Sequence, residues 1–194
     1  MSSTRDGWRR ARLETVLDLS LALAGPRREG EVVEELVQRA VGLLDATAGI
    51  ATSLLSHLEP ASAVSVGWSG EPAGVAAWLA SPAAAEVRRG GVGRLTGAAF
   101  GLSYSEVLIA PCLWRDELNA VVCVADKEAR GGRGSFDDED VRFLRSLALL
   151  AAPAIAAGRL LADAERQRQV LEEENRLLRF GGGEDAGLVG QAPV

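Results

Sequence analysis

Apolar residues return at three- and four-residue steps in three parts of the chain. From about Trp8 to Ala24, Leu13, Val16, Leu17, Leu21 and Ala24 share one face, which predicts a helix stopped by Gly25–Pro26. From about Glu31 to Leu44, Val33, Leu36, Val37, Ala40, Val41 and Leu44 do the same, with glutamates in the first turn, where the helix dipole favours negative charge. A third pattern starts after Phe136 and persists to about Arg179. Asp137 is its expected N-cap, Asp140 strengthens the start, and Phe136 and Val141 occupy the positions of a hydrophobic staple. Pro153 predicts a kink in that helix rather than its end, and Gly181–Gly182–Gly183 predicts its stop.

Between the second and third helices the pattern shortens to strands. Gly49–Leu55 and Ala63–Trp68 are short apolar runs, the second closed by a turn at Gly67–Trp68–Ser69–Gly70. Pro72–Arg89 is rich in alanine and reads as one or two short helices interrupted at Ser81–Pro82. Gly90–Gly91–Val92–Gly93 reads as a flexible connector, and Phe100–Ser105 fits no single element. Glu106–Trp114 and Leu118–Ala125 are stronger strands separated by Arg115, Asp116 and Glu117, a hairpin signal. Glu128–Ser135 carries Arg130–Gly131–Gly132–Arg133–Gly134. It lacks the spacing and trailing Lys–Ser/Thr of a nucleotide loop, so a flexible linker is expected. This order of elements predicts an α+β fold, an antiparallel sheet with helices on one face.

The end of the third pattern changes character. With Ala154, Leu161, Arg168 and Asn175 at heptad position a, Ala157, Ala164, Leu171 and Leu178 fall at d. Beyond Leu160 nearly everything off that stripe is polar. A narrow 3,4-spaced seam of this kind predicts a two-stranded parallel coiled coil, with Asn175 setting register and Arg168 interrupting the apolar line. The implied partner is a second copy of the chain. The expected division is an N-terminal helix over 1–26, a sensor domain over 27–158, a coiled-coil helix over 159–180 and a linker over 181–194.

Composition narrows the class. The 194 residues are 47% hydrophobic and 25% charged, ordinary for a globular chain able to bury a core. A net charge of −6, with basic clusters no longer than the pairs Arg9–Arg10, Arg27–Arg28 and Arg88–Arg89, argues against direct nucleic-acid binding. No stretch reads as a membrane span or export signal. Two cysteines, Cys112 and Cys123, fit a reducing cytosol, and buried inert thiols are expected. His57, the sole histidine, sits in an expected turn, which argues against a Ser–His–Asp set or a histidine-rich metal site.

Two resemblances give these elements a family. Val107-Leu-Ile-Ala-Pro-Cys-Leu-Trp-Arg-Asp-Glu-Leu-Asn-Ala-Val-Val-Cys-Val-Ala-Asp126 resembles the central hairpin of GAF domains. Phe136-Asp-Asp-Glu-Asp-Val-Arg-Phe-Leu-Arg-Ser-Leu-Ala, continued by Ala151–Leu160, resembles their last helix. The sequence departs from the pattern at Asp116 and Ala120, where glycines are usual, and at Asn119, where an apolar residue is usual. Gly187-Leu-Val-Gly-Gln-Ala-Pro193 is similar to the opening of the AAA+ domain of sigma-54-dependent transcriptional regulators, which follows a GAF-type sensor and a linker helix.

The resemblance implies a bacterial regulatory domain, not an enzyme. It implies a small-molecule ligand held between the sheet and the segment Trp68–Tyr104, and an AAA+ output domain or sigma-54 machinery outside this chain. Trp68, Trp78, Phe100 and Tyr104 concentrate in that segment in a chain with 5% aromatics, either as ligand walls or as core, and Arg94 is a candidate anchor for an anionic ligand. The ligand and any cofactor are not identified by the sequence. Two other classes remain open: a dimerisation scaffold with an empty pocket, and a cysteine-dependent methionine sulfoxide reductase of GAF type.

Overall fold

The computed structural model describes residue 14, residues 25–129 and residues 132–181, leaving the side chains of 56, 129, 133 and 178–181 aside. Apart from residues 14, 25 and 26, the expected helix over 1–26 lies outside the described residues, as do the linker beyond 181 and the AAA+-like Gly187–Pro193. The chain divides into two compact units, Met1–Arg159 and Leu160–Val194.

The first unit is built on one antiparallel sheet. Helix α1 (Glu29–Leu43) leads into β1 (Ala46–Leu54), a 3₁₀ turn (Ser56–Leu58) and β2 (Pro60–Val66). Short helices α2 (Pro72–Ala80) and α3 (Ala85–Arg88) flank a 3₁₀ turn at Pro82–Ala84. The edge strand β3 (Gly93–Leu95), a 3₁₀ turn at Gly97–Phe100, β4 (Val107–Trp114), β5 (Glu117–Ala129), β6 (Gly132–Gly134) and α4 (Asp138–Gly181) follow. Strand order is β2-β1-β5-β4-β3, with β6 paired to the far end of β5.

Both faces of the central strands are buried. Ala51, Leu108, Ala110, Cys112, Ala120, Val122 and Val124 face α1 and the first part of α4. Ile50, Val107, Ile109, Val121, Cys123 and Ala125 face the covering segment with α2, α3 and the 3₁₀ turns. The long helices therefore hold one face and the short ones cover the other. A strand buried on both faces has no polar side to alternate with, which is why the apolar runs of β4 and β5 look continuous in sequence.

The start of α4 is capped as its sequence predicts. Asp137 Oδ1 accepts from the Glu139 and Asp140 backbone N–H groups at 2.8 and 2.9 Å, and Asp140 Oδ2 accepts from Asp137 N at 2.9 Å. Phe136 is buried and Val141 packs against the same cluster. The helix is continuous through Pro153. Phe143, Leu144, Leu147, Ala148, Ala151, Ala152 and Ile155 bury its inner face. By length and composition alone one stretch of this helix, with a mean hydropathy of 1.5, is apolar enough to cross a membrane, and 33% of that stretch is buried among the described residues.

Two loop readings give way to strands. Gly93 begins β3, because Gly93, Arg94 and Leu95 pair with Ile109, Leu108 and Val107. A Cβ at Gly93 would lie 2.8 Å from Ile109 Cγ2 and 2.9 Å from Val87 Cγ2, so glycine there permits close packing rather than flexibility. The expected linker over 128–135 is instead mostly a second hairpin, with Lys127, Glu128 and Ala129 opposite Gly134, Arg133 and Gly132.

The β4–β5 turn has two residues, Arg115 and Asp116, at φ +53° and +64°. Two left-handed central residues make the type I′ geometry that favours Asn–Gly. Asp116→Gly is expected to raise stability by about 0.5–1 kcal/mol, read from the urea midpoint. A decrease would show that the aspartate side chain contributes more than the backbone strain costs.

Candidate functional site

The covering segment begins where β2 ends. Gly67 turns the chain at φ +63°, and a Cβ there would meet the Thr47 carbonyl oxygen at 2.8 Å. The turn sets Trp68 over the sheet. Tyr104, at the other end of the segment, closes back on it. Its hydroxyl accepts from Ser69 N at 2.9 Å and donates to the Gly67 carbonyl at 3.1 Å. Inside the segment, Arg88 donates to the carbonyls of Leu79 and Ser81, tying the end of α2 to α3.

Four of the five residues expected to line a ligand site come together. Trp78 and Phe100 lie 5.6 Å apart between ring centroids, Phe100 and Trp68 5.8 Å, and Trp68 and Tyr104 5.0 Å. The rings form a continuous row across the layer between sheet and cover. Trp68 and Trp78 are 7% and 9% exposed, so the row is mostly interior. One polar atom in it is unsatisfied. Trp68 Nε1 is buried and has no hydrogen-bond partner. A buried unmade hydrogen bond costs about 1–3 kcal/mol. The layer therefore offers one oriented donor among aromatic walls, suited to a flat or apolar molecule bearing an acceptor.

Arg94 does not join this row. Its neighbours Gly93 and Leu95 face the aromatic side, so strand alternation turns Arg94 to the other face. There its Nη2 donates to the Phe136 carbonyl at 2.7 Å, and its Nε pairs with Glu106 Oε1 at 3.3 Å. Glu106 Oε2 in turn accepts from Phe136 N at 3.0 Å. Arg94 and Glu106 thus anchor the entry to α4. Nothing in its local sequence distinguished that long-range role from a ligand anchor.

The cysteines are buried on opposite faces of the sheet, Cys112 toward the long helices and Cys123 toward the cover. Burial pushes the Cys112 thiol up to about 12 and the Cys123 thiol higher still. Neither forms thiolate readily near neutral pH. Among the described residues no group of three or more His, Cys, Asp and Glu side chains is placed to hold a metal ion.

A concavity not expected from the sequence lies at the end of the sheet where β1 leaves and β5 begins. It has a volume of about 300 Å³ and is lined by Leu54, Leu55, Leu58 and Leu118, with His57, Glu117, Asn119 and Arg159 supplying its polar groups.

In the second unit, residues 160–177 are exposed along the whole described helix. Of the expected seam, Leu161 is 39% and Leu171 58% exposed. Arg168 Nε pairs with Glu172 at 3.2 Å, and Asn175 Nδ2 donates to the Leu171 carbonyl at 3.0 Å. The side chain of Leu178 lies outside the described residues.

No protein-family model and no curated protein matches the chain. Solved structures do. A GAF domain from Pseudomonas syringae pv. tomato, assigned to a sensor histidine kinase, superposes with a TM-score of 0.63 at 20% identity, over 86% of this chain and 99% of that one. The GAF domain of an Acinetobacter phosphoenolpyruvate-protein phosphotransferase gives 0.56 at 13% identity, over 77% and 95%. The photoproduct state of GAF3 from Slr1393 of Synechocystis sp. PCC6803 gives 0.51 at 11%, over 70% and 98%. The likeness takes in nearly all of each of these domains, and the chain has the GAF fold.

Proposed function

We propose that this chain is the signal-sensing region of a bacterial transcriptional regulator. In this reading a small molecule binds in the aromatic layer, and its presence is passed along α4 to a seam between two copies. The observation that carries the proposal is α4 itself. A single helix contributes the buried Phe143–Ile155 face of the sensor core and the exposed heptad stripe beyond Leu160. A change in how the core packs on the first part has a direct mechanical route to the second.

Several features support the rest. The GAF neighbours include a domain assigned to a sensor kinase and a domain described in its photoproduct state. Two buried free cysteines fit a reducing cytoplasm. Placing an AAA+ or sigma-54 partner downstream rests on the resemblance of Gly187–Pro193 alone. A regulatory role fits better than a reductase, because the thiols sit on opposite faces of the sheet and are shielded from substrate.

One observation favours a scaffold instead: the four rings pack on one another, at centroid distances of 5.0 to 5.8 Å. Native mass spectrometry of freshly purified protein decides between the two. The sensing reading expects a small molecule retained by the wild type and released by Trp68→Leu in protein that keeps its circular dichroism. A bare polypeptide mass, with no thermal stabilisation by any member of a metabolite library, would establish the scaffold.

A further inference from the structure

We infer that the cleft at the sheet end is a binding site for a small zwitterion with an apolar body, the chemistry of a free apolar α-amino acid. The cleft shares no residue with the aromatic row, so it stands apart from the function proposed above. At about 300 Å³ it lies at the small end of ligand pockets.

Its walls carry both charge signs and a greasy surface together. Leu54, Leu55, Leu58 and Leu118 supply the apolar part. Arg159 reaches in from α4 with donors to spare. Its Nη2 makes one short bond, to Glu29 at 2.6 Å, while its contacts to Asn119 are long, at 3.4 and 3.5 Å. Its Nε is buried without a partner. A guanidinium has five N–H donors in a planar fork suited to a carboxylate. Glu117, an exposed carboxylic acid, is also among the lining residues. A simple anion there would face Glu117, and a simple cation would face the Arg159 guanidinium, which keeps N–H donors beside its ion pair with Glu29. A molecule bearing both signs leaves neither uncompensated.

The backbone is bent to make this wall. His57 and Leu58 are consecutive left-handed residues, at φ +64° and +65°, and neither is glycine. Such strain persists where surrounding structure holds it, and it concentrates at ligand clamps. Both residues line the cleft. Because Arg159 belongs to α4, an occupant would load the same helix that closes the sensor core.

The test is isothermal titration of the full chain with L-leucine, L-isoleucine, L-valine, L-methionine and L-phenylalanine. At least one is expected to saturate with a Kd below about 1 mM. Two half-molecules, 4-methylpentanoate and 3-methylbutylamine, are expected to bind at least about tenfold more weakly. Glu117→Gln is exposed and leaves the core alone. It is expected to weaken the amino acid about tenfold and to leave 4-methylpentanoate unchanged, whereas Arg159→Lys weakens both. No saturable binding by the panel would overturn the site. So would binding that survives Glu117→Gln but is lost in Trp78→Leu, since that result puts the ligand in the aromatic layer.

Discussion

Asp140→Ala lowers the unfolding free energy by about 3 kcal/mol, several times the loss from Asp137→Ala at the same helix end. Asp140 is fully buried, and its Oδ2 both pairs with Lys127 and accepts from the Asp137 backbone. Lys127 is only 19% exposed, so deleting the carboxylate strands an ammonium group mostly out of water. Asp137 is exposed, and losing its cap costs about 1 kcal/mol. Urea denaturation of the two variants checks the ratio. Equal losses would mean that the ion pair contributes nothing beyond capping. The double variant Lys127→Met/Asp140→Leu should recover most of the stability, because removing both charges leaves nothing unpaired.

Gly158→Val is expected to cost about 3 kcal/mol, while Gly42→Ala gains about 0.5–1 kcal/mol. Both glycines lie inside helices, where glycine is ordinarily a liability. A Cβ at Gly158 would stand 2.7 Å from Glu29 N, 2.8 Å from the Arg27 carbonyl oxygen and 3.1 Å from Glu29 Cα. All three are backbone atoms at the entry to α1, so they yield only if α1 moves. That movement would also strain the Arg159–Glu29 ion pair at 2.6 Å. At Gly42 nothing lies within 4 Å, and alanine leaves the unfolded chain less backbone freedom to lose on folding than glycine does. Thermal melts of the two variants should therefore shift in opposite directions. A tolerated valine at 158 would mean that the two helices do not meet through this glycine.

Local signals read well in the sequence. The α1 face, the break at Ser81–Pro82, the β4–β5 hairpin and the Asp137 cap each rest on residues a few positions apart, and each is found. What the sequence hid depends on distant partners. β3 is three residues long and starts at a glycine, so only its pairing with β4 makes it a strand. The β6 hairpin was obscured by glycines that also spell a loop. Asp126 Oδ1 accepts from the N–H groups of Ser105 and Glu106, and Asn119 meets Arg159 across 40 positions. At the site, aromatic crowding between Trp68 and Tyr104 was visible as composition. The turn of Arg94 away from it follows from strand alternation, which is invisible until β3 is recognised. The sheet-end cleft left no local signal because its lining comes from three separate stretches.

The relay depends on the exposed stripe of α4 finding its like. Arg168→Leu removes the charged interruption and should tighten that association, provided the stripe is buried in the dimer. Sedimentation equilibrium of the full chain over a wide concentration range tests the account most directly. It should give twice the 20.4 kDa chain mass, and Leu161→Asp/Leu171→Asp should return it to 20.4 kDa with the fold intact. A wild-type chain that stays at 20.4 kDa at the highest concentration would contradict the account.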